Sequence, residues 1–157
     1  NKPIRLISPF APGGSTSYTA RLIGQQLTEA WGQQVVVDNR AGANTIIGTR
    51  IAVHSHQDGY TLLILSSALA GNHTLVKTPY DALKDFAPVT LVAITPNVLV
   101  VNPGVAANSV PDLIALAKAS PGKLNFSSAG IGSGTHFNLE KLKIATGIGS
   151  LRAWYLR

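Results

Sequence analysis

Apolar positions along the chain change their period repeatedly, and each change marks an element. Ile4-Arg5-Leu6-Ile7-Ser8-Pro9-Phe10 is apolar at most positions and is stopped by Pro9 and Pro12-Gly13-Gly14. That pattern predicts a buried strand running into a loop. Tyr18, Leu22, Ile23, Leu27 and Ala30 then recur at three- and four-residue spacing, with Ser15, Thr16 and Ser17 offering N-cap chemistry and Gly32 placed as a C-cap. A helix with that apolar face is expected. Gln34 to Asp38, with three consecutive valines, reads as a second buried strand, and Ala41-Gly42-Ala43-Asn44 as its exit loop. Ile47, Ile51 and His54 would share one face of a helix over Ile46 to His54, Asp58-Gly59 turns the chain, and Thr61 to Leu65 forms a third strand ending in Ser66-Ser67. Alternating strands and helices of this kind predict an α/β fold with a mostly parallel sheet covered on both faces.

The second half begins less regularly. Val89 to Ala93 and Val98 to Val101 read as two strands parted by Thr95-Pro96-Asn97, and Ala70 to Thr74 as a polar loop. Ser109-Val110-Pro111-Asp112 starts a helix with a capping serine, whose apolar face is Leu113, Ile114, Leu116 and Ala117, and which ends at Pro121-Gly122. Lys123 to Ser127 alternates as a strand, Ser128 to Gly134 is glycine-rich, and His136 to Thr146 is helical, with Phe137, Leu139, Leu142 and Ile144 expected inside. Strand, small-residue loop and helix N-terminus thus occur twice.

Composition narrows the class. With 157 residues, 45% hydrophobic and 13% charged, the chain is too apolar for intrinsic disorder and long enough for a core. It has no cysteine, which removes disulfides, thiolate metal sites and Cys nucleophiles, and no methionine, which points to a processed or clipped chain. No apolar run approaches the roughly 20 residues of a membrane-spanning helix. Arg5, Arg21, Arg40, Arg50, Lys77, Lys84, Lys118 and Lys123 are scattered, so the charge of +6 fits a mild preference for anions and not a nucleic-acid surface.

The two loops carry the candidate chemistry. Each places backbone N–H groups and a positive helix end where a strand stops, which suits a carboxylate or phosphate, although glycines there also serve plain tight turns. Gly130, Gly132 and Gly134 do not spell a dinucleotide fingerprint, and Pro12-Gly13-Gly14-Ser15-Thr16 lacks the P-loop lysine. His54 and His56 lack metal-ligand spacing and read as capping or solvated residues; His73 lies in a polar loop. His136, just after the second loop, is placed either to contact a ligand or to pack at a helix start. No metal site, cofactor or catalytic residue is expected. No G-x-S-x-G elbow occurs; Ser133 and His136, three apart, leave a small hydrolase of carboxylate or acyl substrates as the alternative reading.

The motifs Ala11-Pro12-Gly13-Gly14-Ser15-Thr16, Ala20-Arg21-Leu22, Val35-Val36-Val37, Asn39-Arg40, Asp58-Gly59-Tyr60-Thr61-Leu62, Pro79-Tyr80-Asp81, Lys84-Asp85-Phe86-Ala87-Pro88, Pro96-Asn97-Val98, Pro121-Gly122-Lys123-Leu124-Asn125 and Ser128-Ala129-Gly130 together resemble the Bug, or TctC, family. These are periplasmic solute receptors of tripartite tricarboxylate transporters. The resemblance runs to about Ile148 and implies a two-lobed Venus-flytrap receptor, not an enzyme, that captures a small carboxylate and hands it to the transporter's membrane components. It implies that Phe10, Ala11, Pro12, Gly13, Gly14, Ser15, Thr16 and Ser17 form one clamp, Ser66 and Ser67 a side wall, and Ser128, Ala129, Gly130, Gly132, Ser133 and His136 a second clamp facing the first across a cleft. The ligand is a di- or tricarboxylate, an amino acid or an aromatic acid, held largely by amides, hydroxyls and waters. The location implied is the periplasm, without nucleic acid.

Departures from the family pattern are local until the end. Ser17 stands where the family usually has Asp, Ala41 replaces a proline, and Asn44-Thr45 replaces small residues. Lobe 1 is expected in residues 1–98 and the start of an incomplete lobe 2 in 99–148. The tail 149–157 is expected to be unlike the family, as in a frameshifted or truncated copy, or a non-functional remnant. A second lobe of about 50 residues without its remaining strands is marginal alone.

Overall fold

The computed structural model describes residues 2–149 and the backbone of 152–155. Asn1, Ser150, Leu151, Leu156 and Arg157 lie outside the described residues. The chain divides into two compact units, Asn1–Pro88 and Val89–Arg157, each of which is described by itself.

The first unit is built on three parallel strands, β1 (Ile4–Ser8), β2 (Val35–Asn39) and β3 (Thr61–Leu63), in the order β2-β1-β3. Ile4 pairs with Val35 and Ser8 with Asn39 on one side of β1; Leu6 pairs with Leu62 on the other. As the central strand, β1 has neighbours on both edges and helices over it, so Ile4, Leu6, Ile7 and Ser8 are buried. β3 is shorter than the predicted Thr61 to Leu65, although Ile64 still donates its N–H to the Ile7 carbonyl at 3.0 Å.

Helix α1 (Ser15–Trp31) lies against β1 and β2, and α2 (Ile46–Val53) against β1 and β3. Parallel crossovers of this kind are right-handed as a rule, and two that run in opposite directions along the sheet put their helices on opposite faces of it. The strand order therefore reverses beside β1, and the loops leaving β1 and β3 flank the point where open α/β sheets take ligands.

The buried faces of these helices are not the ones expected. In α1, Tyr18 is 69% exposed and Leu22 is also exposed, while Ser17, Ala20 and Gly24 are buried. Small residues win because the helix approaches β2 closely: a Cβ on Gly24 would already stand 3.4 Å from a Val37 methyl and 3.5 Å from a Val35 methyl. Thr28 stitches the contact, donating to the Gly24 carbonyl at 2.7 Å and accepting the Val35 amide at 3.0 Å. In α2 the buried residues are Gly48 and Thr49, and Ile47 is exposed. Gly32 closes α1 in the left-handed conformation, φ 61, as its position predicts.

Residues 70–74, expected as a loop, belong to helix α3 (Ala68–Leu75). Its inner side is made by Ala68, Gly71 and Asn72 at helical spacing, without the bulky residues that usually signal a helix.

The second unit contains α4 (Val110–Ala119), β4 (Asn125–Ser128), α5 (Gly134–Thr146) and β5 (Arg152–Tyr155). Ser109 caps α4 as expected, its hydroxyl accepting the Asp112 amide at 3.2 Å, and Leu113, Ile114, Leu116 and Ala117 face inward. On α5, Leu139 is buried but Ile144 is 83% exposed, contrary to its predicted burial; Gly147 ends the helix with φ 69. The tail adds a strand that the sequence did not signal: β5 pairs with β4 in parallel, Asn125 opposite Arg152.

The two strands predicted over Val89 to Ala93 and Val98 to Val101 do not form; the whole stretch is irregular. Val98 and Val100 are 79% and 80% exposed. Strand propensity expresses packing against cross-strand neighbours, and no described strand lies alongside to pair with them. Leu99 and Val101, with Leu113, Ile114, Phe126 and Leu142, line an apolar cavity of about 160 Å³.

Candidate ligand-binding loops

The loop after β1 takes its shape from the helix it enters. Pro9 is buried, Gly13 has φ 90, and Gly14 is the N-cap of α1, extended at φ −74 and ψ 164. The cap is thus glycine, and the expected side-chain capping by Ser15, Thr16 or Ser17 is absent: these three form the first turn. Tyr18 makes the first intrahelical bond, its N–H to the Gly14 carbonyl at 2.9 Å. The amides of Ser15, Thr16 and Ser17 consequently have no intrahelical acceptor and no capping side chain. No acidic residue stands in that turn. A positive helix end with three uncapped donors is a ready place for an anion.

Ala11 to Ser15 are exposed, whereas Ser17 is 1% exposed. Its hydroxyl accepts from the Asn39 side-chain amide at 3.0 Å. The same Asn39 nitrogen donates to the Phe10 carbonyl at 3.0 Å, and the Asn39 oxygen accepts from Arg21 at 3.2 Å. Asn39 therefore ties the start of the loop to the first turns of α1. Sequence reasoning gave it no role, although a polar pair, Asp38-Asn39, directly after a run of three valines was the available signal.

Asp38, one residue earlier, accepts from Arg5 Nε at 2.8 Å and pairs with Arg40 Nε at 2.8 Å. Burial opposes its ionisation, but the hydrogen bonds and charges of Arg5 and Arg40 outweigh that and hold its carboxyl below the ordinary aspartate value.

Ser66 and Ser67, leaving the neighbouring strand, are exposed. Ser66 Oγ accepts the Ala68 amide at 3.3 Å; Ser67 is the N-cap of α3 but its side chain caps nothing. Strand pairing thus brings the exits of β1 and β3 to the same end of one sheet.

The second loop belongs to the other unit. Ser133 caps α5, accepting the His136 amide at 3.2 Å and donating to the Gly130 carbonyl at 2.7 Å. Ala129 N–H donates to Thr135 Oγ1, Gly130 N–H to Ser128 Oγ and Ser133 N–H to the Gly130 carbonyl, at 3.1, 3.4 and 3.1 Å. Gly132 N–H donates to His136 Nδ1 at 3.2 Å. The loop is thereby braced from within. The amides of Gly134 and Thr135, at the helix start, are left without an intrahelical acceptor.

His136 Nδ1 accepts that amide, so in the neutral ring the proton sits on Nε2, 3.9 Å from Glu140 Oε1. The Ser133 hydroxyl donates to the Gly130 carbonyl at 2.7 Å and lies 3.0 Å from Thr135 Oγ1, so these contacts stay within the loop and the first turn of α5. His54 accepts the C-cap role expected of it, with its ring 2.9 Å from the Arg50 carbonyl. Among the described residues, no three His, Asp or Glu side chains gather as metal ligands.

Residues 19–155 match the family described as "Tripartite tricarboxylate transporter family receptor", TctC, and so run beyond Ile148 into the tail. The chain is 43% identical to Protein BugT of Bordetella pertussis over 149 residues, 93% of this chain and 46% of that protein. It is similar to a solved structure of a periplasmic transporter, at TM-score 0.88 and 39% identity, and to R. palustris Rpa4515 with adipate, at 0.92 and 33%. Each comparison covers 99% of this chain and 52% of the solved one. The chain spans about half the length of these relatives. With its α/β fold, its parallel sheet and this match over most of its length, the chain belongs to the TctC family of tripartite tricarboxylate transporter receptors.

Proposed function

We propose that this chain is part of an extracytoplasmic solute receptor that binds a small carboxylate, a di- or tricarboxylate, an amino acid or an aromatic acid, for delivery to a tripartite tricarboxylate transporter in the membrane. The observation that carries the reading is the uncapped start of α1, with the amides of Ser15, Thr16 and Ser17 left without an intrahelical acceptor or side-chain cap at the end of a parallel strand beside a reversal in strand order. In this reading Phe10 to Ser17 form one carboxylate contact, flanked by Ser66 and Ser67. The second loop, from Ser128 to His136, forms another contact on its own unit. There the amides of Gly134 and Thr135 do the binding while Ser133, Thr135 and His136 hold the loop's shape. Adipate is a fitting first ligand, because a relative at 33% identity is solved with it.

The receptor reading makes no use of bond-breaking chemistry, in keeping with the engaged states of Ser133 and His136. It places the protein in the periplasm, where the transporter family works.

Isothermal titration of the chain with adipate, against adipate dimethyl ester as the uncharged control, tests the proposal. Saturable heat with adipate alone supports it. Equal responses to acid and ester, or turnover of the ester, would count against it.

A further inference from the structure

Between β2 and α2 the backbone does something costly. Gly42, Ala43, Asn44 and Thr45 follow one another at φ 135, 45, 50 and 76, so three consecutive residues with side chains occupy the left-handed region. L-residues avoid that region, and runs of it hardly occur without glycine. Such a run persists only where its surroundings over-determine it.

One side chain from another element does so here. Asn72, on α3, is 1% exposed. Its Nδ2 donates to the Asn44 carbonyl at 2.6 Å and to Thr45 Oγ1 at 3.2 Å, and its Oδ1 accepts from Asn44 Nδ2 at 2.7 Å. The Thr45 carbonyl in turn takes the Thr49 amide at 3.0 Å and the Thr49 hydroxyl at 2.8 Å, with Thr49 fully buried. The bonds reach both the main chain and the side chains of the strained run.

The run sets where α2 begins, and α2 sets where the β1 loop begins. At Gly48, in the first turn of α2, an added Cβ would meet Pro9 Cβ at 2.6 Å, the Arg40 carbonyl at 2.7 Å and Pro9 Cα at 2.9 Å. There is no slack at that contact, so Pro9, from which the loop Phe10–Gly14 departs, moves with any displacement of α2. Asn72 itself stands on the helix that starts directly after Ser66-Ser67. It thus ties the helix leaving β3 to the loop leaving β2 and, through Gly48 and Pro9, to the exit of β1.

We propose that Asn72 is a positioning residue: it latches residues 42–45 in their left-handed conformation and, through α2 and the Gly48–Pro9 contact, fixes the loop Phe10–Ser17. The importance of that loop for carboxylate binding rests on the function proposed above; the latch does not.

The test uses the full chain and the amide chemical shifts of Gly13, Gly14, Ser15 and Thr16. Asn72→Ala should displace these four signals while those of residues 22–28, in the middle of α1, stay in place. Adding Ala43→Gly, Asn44→Gly and Thr45→Gly should return them, because glycine holds positive φ without a latch. A loss of fold without a positioning role would not be repaired in that way. Where Asn72→Ala alone fails to fold, the triple-glycine chain is compared with and without Asn72, and matching loop signals are expected. Unmoved signals in Asn72→Ala, or glycine substitutions that fail to restore the loop, would overturn the proposal. Adipate titration is the second readout: about a tenfold weaker affinity in Asn72→Ala is expected, and recovery in the glycine background. Failure of the unaltered chain to bind adipate would strike the receptor reading and leave the shift comparison to decide the latch.

Discussion

Two helical glycines should respond in opposite directions to the same substitution. Gly→Ala removes the entropic penalty of glycine in a helix, a gain of at most about 1 kcal/mol. At Gly24 the new methyl would lie 3.4 and 3.5 Å from valine side chains, near ordinary contact, so the gain is largely kept. At Gly48 it would lie 2.6 Å from Pro9 Cβ and 2.7 Å from the Arg40 carbonyl, about 1 Å inside the distance at which carbon atoms attract. Backbone must move at Gly48, at a cost of about 1–3 kcal/mol or more, which exceeds the propensity gain. Gly24→Ala should therefore be neutral to about 1 kcal/mol more stable, and Gly48→Ala less stable by up to about 2 kcal/mol. For a unit of this size each kcal/mol shifts the melting temperature by about 4–8 °C, an easy difference to see by circular dichroism. A Gly48→Ala chain as stable as Gly24→Ala would refute the close approach of α2 to Pro9 on which both the loop geometry and the Asn72 latch depend.

Other consequences are open to simpler assays. Asp38 has its pKa lowered by folding, so the stability it contributes is present above the unfolded value near 4 and is lost as pH falls through the lower folded value. Asp38→Asn should cost about 1 kcal/mol at pH 7, and its melting temperature should converge with that of the parent below about pH 4; a gap that is constant in pH would contradict the Arg5–Asp38–Arg40 cluster. Ser133→Ala removes the α5 cap and should cost about 1 kcal/mol, and Ser109→Ala about the same at α4, by urea denaturation. Val98→Lys with Val100→Lys should raise the concentration at which light scattering detects association, because both valines are exposed beside other apolar residues; unchanged association would show that this face is not the adhesive one.

The residues reveal the elements better than the faces. Gly32, Ser109 and Gly147 punctuate the chain where helices start or stop, because capping is local chemistry. The inner faces of α1 and α3 are hidden from a reading that looks for large apolar residues, since close approach to a sheet or a loop selects Ala20, Gly24, Gly71 and Asn72. Val89 to Val101 shows the opposite failure: strong strand propensity with no strand alongside among the described residues gives exposed irregular chain. The candidate loops were visible as glycine-rich strand exits. Asn39 and Asn72, which hold the first of them, were not, because their partners lie 18 to 29 residues and 27 to 28 residues away respectively.

The most direct test of the central claim is an amide-resolved titration of the chain with adipate by two-dimensional 1H–15N spectroscopy. Saturable shifts are predicted for Ser15, Thr16 and Ser17, and for Gly134 and Thr135, at up to low-millimolar acid, with no comparable response to the dimethyl ester. Shifts spread over surface lysines, or none at these five amides up to about 20 mM, an affinity weaker than about −2 kcal/mol, would contradict carboxylate binding at the helix starts.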